Sequence, residues 1–179
     1  MRKVVFRICS SLDNYIARKD RGTDWILSGE EATSALAEFW EKIDAIVIGR
    51  KTYEPLLKSG KPWPSYPDVK NYVFSRTIRE SPDKNVHIIS EDAAEFVRNL
   101  KRKKGKDIFV IGGGELAKSL FEAKVIDEVC LCIHPVLLGS GIPLFPPMQG
   151  QVDMKLLESK IFKNGVVLVR YRVKGSRIA

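Results

Sequence analysis

The segment Asp107-Ile108-Phe109-Val110-Ile111-Gly112-Gly113-Gly114-Glu115-Leu116-Ala117 constrains the fold more than any other. Its apolar run has hydrophobic side chains on both alternating faces, the pattern of a strand covered on both sides in a parallel sheet. Three glycines follow, and a helical pattern begins directly after them. Glycines at such a junction let backbone N–H groups approach a phosphate, and a helix N-terminus adds positive potential. Gly112-x-Gly114-x-x-Ala117 also fits the loose dinucleotide fingerprint. By itself that match is weak, because a tight turn without a ligand has the same signature. In a plain dinucleotide-binding domain, moreover, the fingerprint follows the first strand, and here several strand-like runs precede it.

Those runs are Lys3–Cys9, Asp44–Ile48, Asn71–Phe74, Val86–Ile89, Asp107–Ile111, Val125–His134, Met154–Phe162 and Val166–Val173. Helical segments lie between the earlier ones, as parallel crossovers require. Ser28 and Glu31 have capping-box spacing ahead of Ala32, Ala35, Leu36, Phe39 and Trp40. Ser90 is the expected cap of a helix carrying Ala93, Ala94, Phe96, Val97 and Leu100, and Gly105 its expected C-terminal stop. Lys51–Leu57 reads as a shorter helix, followed by a loop stiffened by Pro62, Pro64 and Pro67. Asn164-Gly165 between the last two runs is a hairpin signal. The expected fold is one α/β domain over residues 1–179, a mostly parallel sheet finished by an antiparallel hairpin.

Composition narrows the partners. No apolar run approaches the ~20 residues that span a bilayer. The N-terminus is too short and too charged for a signal peptide and reads as a first strand, so a cytoplasmic location is expected. Cys9, Cys130 and Cys132 with two distant histidines lack zinc-site spacing, and no metal is expected. The net charge of +8 suits anionic small molecules as well as nucleic acid. Its densest run, Arg98 to Lys106, reads as a solvated helix end rather than a nucleic-acid patch. The long apolar run Val125–His134 is a candidate homodimer contact.

Four junctions at strand ends carry the chemistry: Ser10–Ala17, Gly49-Arg50-Lys51-Thr52-Tyr53, Ser75-Arg76-Thr77 and the triple glycine. Parallel sheets bind ligands at the carboxyl ends of their strands. Gly49 exposes backbone N–H groups at a helix start, Arg50 offers a planar fork and Thr52 a hydroxyl. Ser75 and Arg76 form a second anion-binding pair. With the glycines they suit a molecule bearing several phosphates, and NADPH, with a pyrophosphate and a 2′-phosphate, would use all three. Asp13 and Glu30 are the candidate catalytic carboxylates, on the expectation that an apolar cleft raises their pKa. Asp13 fits an Asx turn equally well.

Ser11-Leu12-Asp13-Asn14-Tyr15-Ile16-Ala17, Ile46–Tyr53, Phe74-Ser75-Arg76 and Ile111–Gly114 occur in the same order as in dihydrofolate reductase-like proteins, and the chain resembles that superfamily over nearly its whole length. Pro135–Phe145 is most similar to the riboflavin-biosynthesis reductase, the reductase domain of the bifunctional deaminase-reductase. The resemblance implies a three-layer fold, a sheet of about eight strands and NADPH at its carboxyl edge. It places Gly49, Arg50, Lys51 and Thr52 on the pyrophosphate and adenosine phosphate, and Ser75 and Arg76 on the 2′-phosphate. It places Gly112, Gly113, Gly114 and Glu115 on the pyrophosphate, with Cys9 and Ile16 beside the nicotinamide. It also implies a cis Gly112–Gly113 peptide. Val69 stands where folate-reducing members carry an Arg, and Asn14 replaces a Gly of riboflavin-type members. The deaminase signature is absent. The implied function is NADPH-dependent reduction of a ribosylaminopyrimidine of riboflavin biosynthesis, with dihydrofolate as the alternative substrate. A basic protein that binds nucleotides or nucleic acid without catalysis is the alternative of another class.

Overall fold

The computed structural model describes residues 1–60, 68–112 and 114–175. Pro62, Pro64 and Pro67, the Gly113 position and the peptide bond that joins it to Gly112 lie outside the described residues. Along the chain the elements are β1 (Val4–Ser11), β2 (Tyr15–Ala17), α1 (Glu30–Trp40), β3 (Ile43–Gly49), α2 (Arg50–Ser59), β4 (Lys70–Phe74) and β5 (Val86–Ile89). There follow α3 (Ala93–Arg102), β6 (Asp107–Ile111), α4 (Gly114–Glu122), β7 (Glu128–His134), β8 (Ile142–Pro143), β9 (Met154–Ile161) and β10 (Val167–Val173). Eight strands form one sheet in the order β5-β4-β3-β6-β1-β7-β10-β9. Neighbours from β5 to β7 are parallel. The pairs β7–β10 and β10–β9 are antiparallel. This is the expected mostly parallel sheet with a terminal hairpin.

Strand periodicity divides the core. Val4, Phe6, Ala45, Val47, Ile108 and Val110 meet α3 and α4 through Val97, Leu100, Leu116 and Leu120 on one face. Ile46, Ile48, Val73 and Phe109 meet Phe39 and Trp40 of α1 and Tyr53 of α2 on the other. Each central strand is therefore apolar on both sides, which explains the continuous Val/Ile runs. A third cluster joins Cys130, Cys132, Leu168 and Phe162 to Ala32 and Ala35 of α1. The two-stranded β2–β8 ladder escapes sequence reading because it is too short to show alternation.

Several local expectations are corrected. Ser28 does not cap α1: the cap position is Gly29, with no side-chain hydrogen bond. Glu31 instead accepts from Lys163 N at 2.7 Å, tying α1 to the hairpin. The cap of α3 is Asp92, which accepts from Glu95 N at 2.9 Å, two residues beyond Ser90. Gly105 lies past the Lys103 C-cap and packs against Asp44 and Arg2, which form an ion pair with each other. Lys101, within the supposedly solvated basic run, is buried and pairs with Asp127 at 2.7 Å. The β7 strand lies between β1 and β10 in the sheet. At the hairpin, Gly165 has φ 85, and Asn14 holds φ 64, a value few residues other than Gly tolerate as well as Asn.

Asp127 is wholly buried and also accepts from Val4 N at 2.8 Å. Asp127→Ala leaves a buried ammonium and a backbone N–H unpaired. It should cost about 3–5 kcal/mol, read as a lower urea midpoint, whereas an unchanged midpoint contradicts this account.

Candidate functional site

A cleft of about 1020 Å³ opens at the carboxyl ends of β3, β4 and β6. Gly49, Arg50, Lys51 and Thr52 line it from the β3–α2 junction, Ser75, Arg76 and Thr77 from the end of β4, and Gly114, Glu115 and Leu116 from the start of α4. Ile16, Ala17, Ile142 and Pro143 form the wall on the β2–β8 side. All four sequence junctions thus contribute, the first through Ile16 and Ala17, but only Ser75-Arg76-Thr77 does so in full: Tyr53 is buried in the core, and Gly112 is not in the lining but packs behind it against Thr52.

Convergence depends on close backbone approach. Gly112 has φ 119, and a Cβ there would lie 2.5 Å from Thr52 Oγ1 and 3.5 Å from Gly49 N. A Cβ on Gly114 would overlap the Pro146 ring, which itself lines the cleft. The helix α2 starts at Arg50 with no side-chain cap, so its first N–H groups point to the cleft mouth without a side-chain acceptor. Arg21, Arg50, Lys51 and Arg76 line the cleft against one carboxylate, Glu115. That excess gives the cleft a positive potential.

The individual side chains differ in readiness. Arg50 Nη1 donates to Glu54 Oε2 at 2.6 Å, and Glu54 also pairs with Lys58 at 3.0 Å. The Lys58 bond, with Arg50 contributing, lowers the Glu54 pKa. Arg76 is exposed and makes no hydrogen bond or ion pair among the described residues. Ser75 is buried, and its Oγ accepts from Thr77 N at 3.2 Å and Ile78 N at 2.8 Å. It builds the turn that presents Arg76. Arg21 and Thr23 were missed in the sequence: they lie in an irregular segment with no motif, and only tertiary contact brings them to the rim. Arg21 Nη1 donates to Lys51 O at 3.3 Å.

Three expected residues fall elsewhere. Cys9 does not line the cleft. It stands opposite Cys132 in the β1–β7 register, on the face under α1. The hydrogen bond between the two thiols, with burial, raises the Cys9 pKa; the same bond lowers that of Cys132. Asp13 accepts from Ser11 Oγ at 2.6 Å, Leu138 N at 3.1 Å and Gly139 N at 2.7 Å. These bonds, the Ser11 one foremost, lower its pKa, opposite to the rise expected of a catalytic acid in an apolar cleft. Glu30 is exposed in the first turn of α1 and is not part of the cleft wall. Among the described residues no cluster of three His, Cys, Asp or Glu side chains is placed to hold a metal. No described helix is long and apolar enough to cross a membrane.

Fold and cleft together define a three-layer α/β protein with a cationic rim and a dihydrofolate reductase-like fold. The chain belongs to the RibD C-terminal domain family, which matches residues 2–168. YwjB of Bacillus subtilis, a protein of uncharacterized function, is 36% identical over 168 residues, covering 93% of this chain and 96% of its own. The crystal structure of a putative riboflavin biosynthesis protein from Shewanella sp. PV-4 superposes with TM-score 0.83 at 26% identity, covering 97% of this chain and 99% of that one. Dihydrofolate reductase from Enterococcus faecalis, complexed with NADP(H), shares the fold at TM-score 0.65 and 15% identity over 96% of both chains.

Gly112→Ala should destabilise the protein by about 2–4 kcal/mol, because it adds strain at positive φ to an overlap with Thr52. Urea denaturation reads the loss; wild-type stability in the variant would show that the two turns do not abut as described.

Proposed function

We propose that this protein is an NADPH-dependent reductase of riboflavin-biosynthesis type. The observation that carries this reading is the cleft itself. An uncapped helix start, a close-packed glycine turn and four cationic side chains meet at the carboxyl ends of adjacent parallel strands. Its volume suits a ligand of cofactor size. Gly49, Arg50, Lys51 and Thr52, with the start of α4 at Gly114 and Glu115, hold the pyrophosphate. Arg76, presented by the Ser75 turn, takes the 2′-phosphate. Ile16 and Ala17 supply the apolar wall for the nicotinamide. Bound there, NADPH would supply the hydride for reduction of a C=N or opened ribose carbon of the substrate, the proton coming from solvent or substrate.

Three considerations support a ribosylaminopyrimidine rather than dihydrofolate. The chain belongs to the RibD C-terminal domain family, and the structurally similar Shewanella protein is described as one of riboflavin biosynthesis. Val69, at the position of the folate-binding Arg, is buried in an apolar cluster. Folate-reducing members carry an acid on the first helix; Glu30 and Glu31 stand near that place, but Glu30 is exposed and Glu31 accepts from Lys163 N. The structure adds nothing specific to the nucleic-acid reading, since Lys101 of the basic run is consumed by Asp127.

Arg76→Ala should raise the Kd for NADPH about tenfold or more and leave that for NADH within about twofold, as expected of a charge-assisted bond to the 2′-phosphate. Calorimetric titration of both cofactors checks it, and equal losses for both refute the assignment. With purified protein, 5-amino-6-(5-phosphoribosylamino)uracil should drive NADPH oxidation at 340 nm and dihydrofolate should not. Turnover of dihydrofolate alone would reverse the substrate assignment.

A further inference from the structure

At the carboxyl end of β7, His134 is 2% exposed and has a role that neither the cleft nor the core clusters account for. Its Nδ1 accepts from the backbone N–H of Leu27 at 3.2 Å. Trp25 packs edge-on against the ring, with centroids 5.4 Å apart at 85°. A nitrogen that accepts cannot carry the proton, so the imidazole is neutral with hydrogen on Nε2. That Nε2 is buried and has no partner among the described residues. The ring is thus committed on one side only, to the segment between β2 and α1.

That segment reaches the cleft. Arg21 and Thr23 line it, and Arg21 bonds to Lys51 O at the start of α2. Internal turns make the segment stiff: Arg18 N donates to Gly22 O at 2.9 Å, Ile26 N to Thr23 O at 3.1 Å, and Arg18 pairs with Asp24 at 2.9 Å. Little apolar burial holds it otherwise, since Trp25 is buried but Ile26 and Leu27 are exposed. We propose that His134 is a positioning residue whose neutral imidazole latches the Arg18–Gly29 segment and so holds Arg21 and Thr23 in the cofactor cleft. This deepens the reading of the cleft as a dinucleotide site and rests on it.

The sign of the pH effect follows. An imidazolium has no acceptor for Leu27 N–H and is a charge in a dry site. Burial lowers the His134 pKa in the latched state. The released state binds the proton more readily, so acid favours release. The loss begins as pH falls through the ordinary histidine value of about 6.5 and grows until the latched-state pKa is reached. The ionisable groups around His134 come from three directions. Asp13 lies beyond Ser11, the β1 register partner of His134, and is engaged by Ser11, Leu138 and Gly139. The Cys9–Cys132 thiols, with Arg7, lie on β1 and β7 before it. Asp24 in the segment is held by Arg18. Burial is the cause that accounts for the His134 shift.

The test compares full-length wild type, His134→Asn and His134→Leu by equilibrium titration with NADP⁺, which survives acid, at about pH 8 and about pH 5.5. Asn keeps an acceptor near the Nδ1 position and cannot be protonated; Leu removes the acceptor. Titration of the 2′-phosphate is common to all three and cancels in ratios of Kd. Wild type and His134→Asn should bind within about twofold of each other at the higher pH, with wild type about tenfold weaker at the lower. His134→Leu should be about tenfold weaker than His134→Asn at both. A wild-type to His134→Asn ratio that stays at one, or His134→Leu binding like His134→Asn, overturns the latch. If no form binds NADP⁺ at either pH, the cofactor reading fails, and the latch is judged without ligand. The Trp25 fluorescence, isolated by subtracting the Trp25→Phe signal, should then titrate with acid in wild type and stay flat in His134→Asn. A flat wild-type signal overturns it.

Discussion

The site depends on the packing of two backbone turns against each other. The ends of β3 and β6 lie side by side, with Ile48 opposite Ile111, so the turns after them share one space. Gly112 lets the Thr52 hydroxyl and the Gly49 amide come in where a side chain would otherwise stand. Any Cβ there separates the start of α2 from the glycine turn that leads into α4. With that separation the N–H groups at the two helix starts would no longer face a common volume. Hydrophobic packing fixes the sheet, and this one contact turns the sheet edge into a cleft.

Charge completes what packing begins. The chain carries a net +8, but not all of its cations are available to a ligand. Lys101 is consumed by Asp127, Arg2 by Asp44, and Lys3 by Glu128. These pairs fasten strand and helix ends, and partly buried ones resist removal of one partner. Arg76 and Lys51, exposed on the rim, are left to set the field of the cleft. The composition therefore supplies positive charge, and the structure determines where that charge remains unpaired at the surface.

Much of this was legible in the sequence, and the exceptions share a cause. Seven of the eight strands of the main sheet were readable because each buries apolar side chains, whereas β9 has no buried residue and was readable beside the Asn164-Gly165 hairpin signal. Gly49-Arg50-Lys51-Thr52, Ser75-Arg76 and Gly114-Glu115 were readable because strand-end turns in parallel sheets converge by topology. Caps were misplaced at Ser28 and Ser90, since a Ser beside a helix signals a turn without specifying which donor it serves. Cys9 was misassigned because its facing depends on strand register with Cys132. Asp13 was placed in chemistry although its oxygens serve Ser11, Leu138 and Gly139, and two of those partners lie more than a hundred residues away. Arg21 and His134 left no local pattern at all.

The same distinction, between parts held by burial and parts held by single polar contacts, explains where the molecule can yield. Helix α1 buries none of its residues fully. It is held at its start by Glu31 to Lys163 N, along its length by Arg7 to Ala35 O, and at its end by Phe39 and Trp40 against Phe109. The segment before it depends on His134 in the same way. The hydrogen bonds among these contribute about 0.5–1.5 kcal/mol each, so the segment before α1 opens at lower cost than the β3–β6 side. A cleft built with one wall fixed by the core and the other by hydrogen bonds can admit a large ligand without disturbing the sheet. The Arg21–Thr23 part of the rim, tied by single hydrogen bonds, is therefore the part that yields most cheaply while the sheet stays packed.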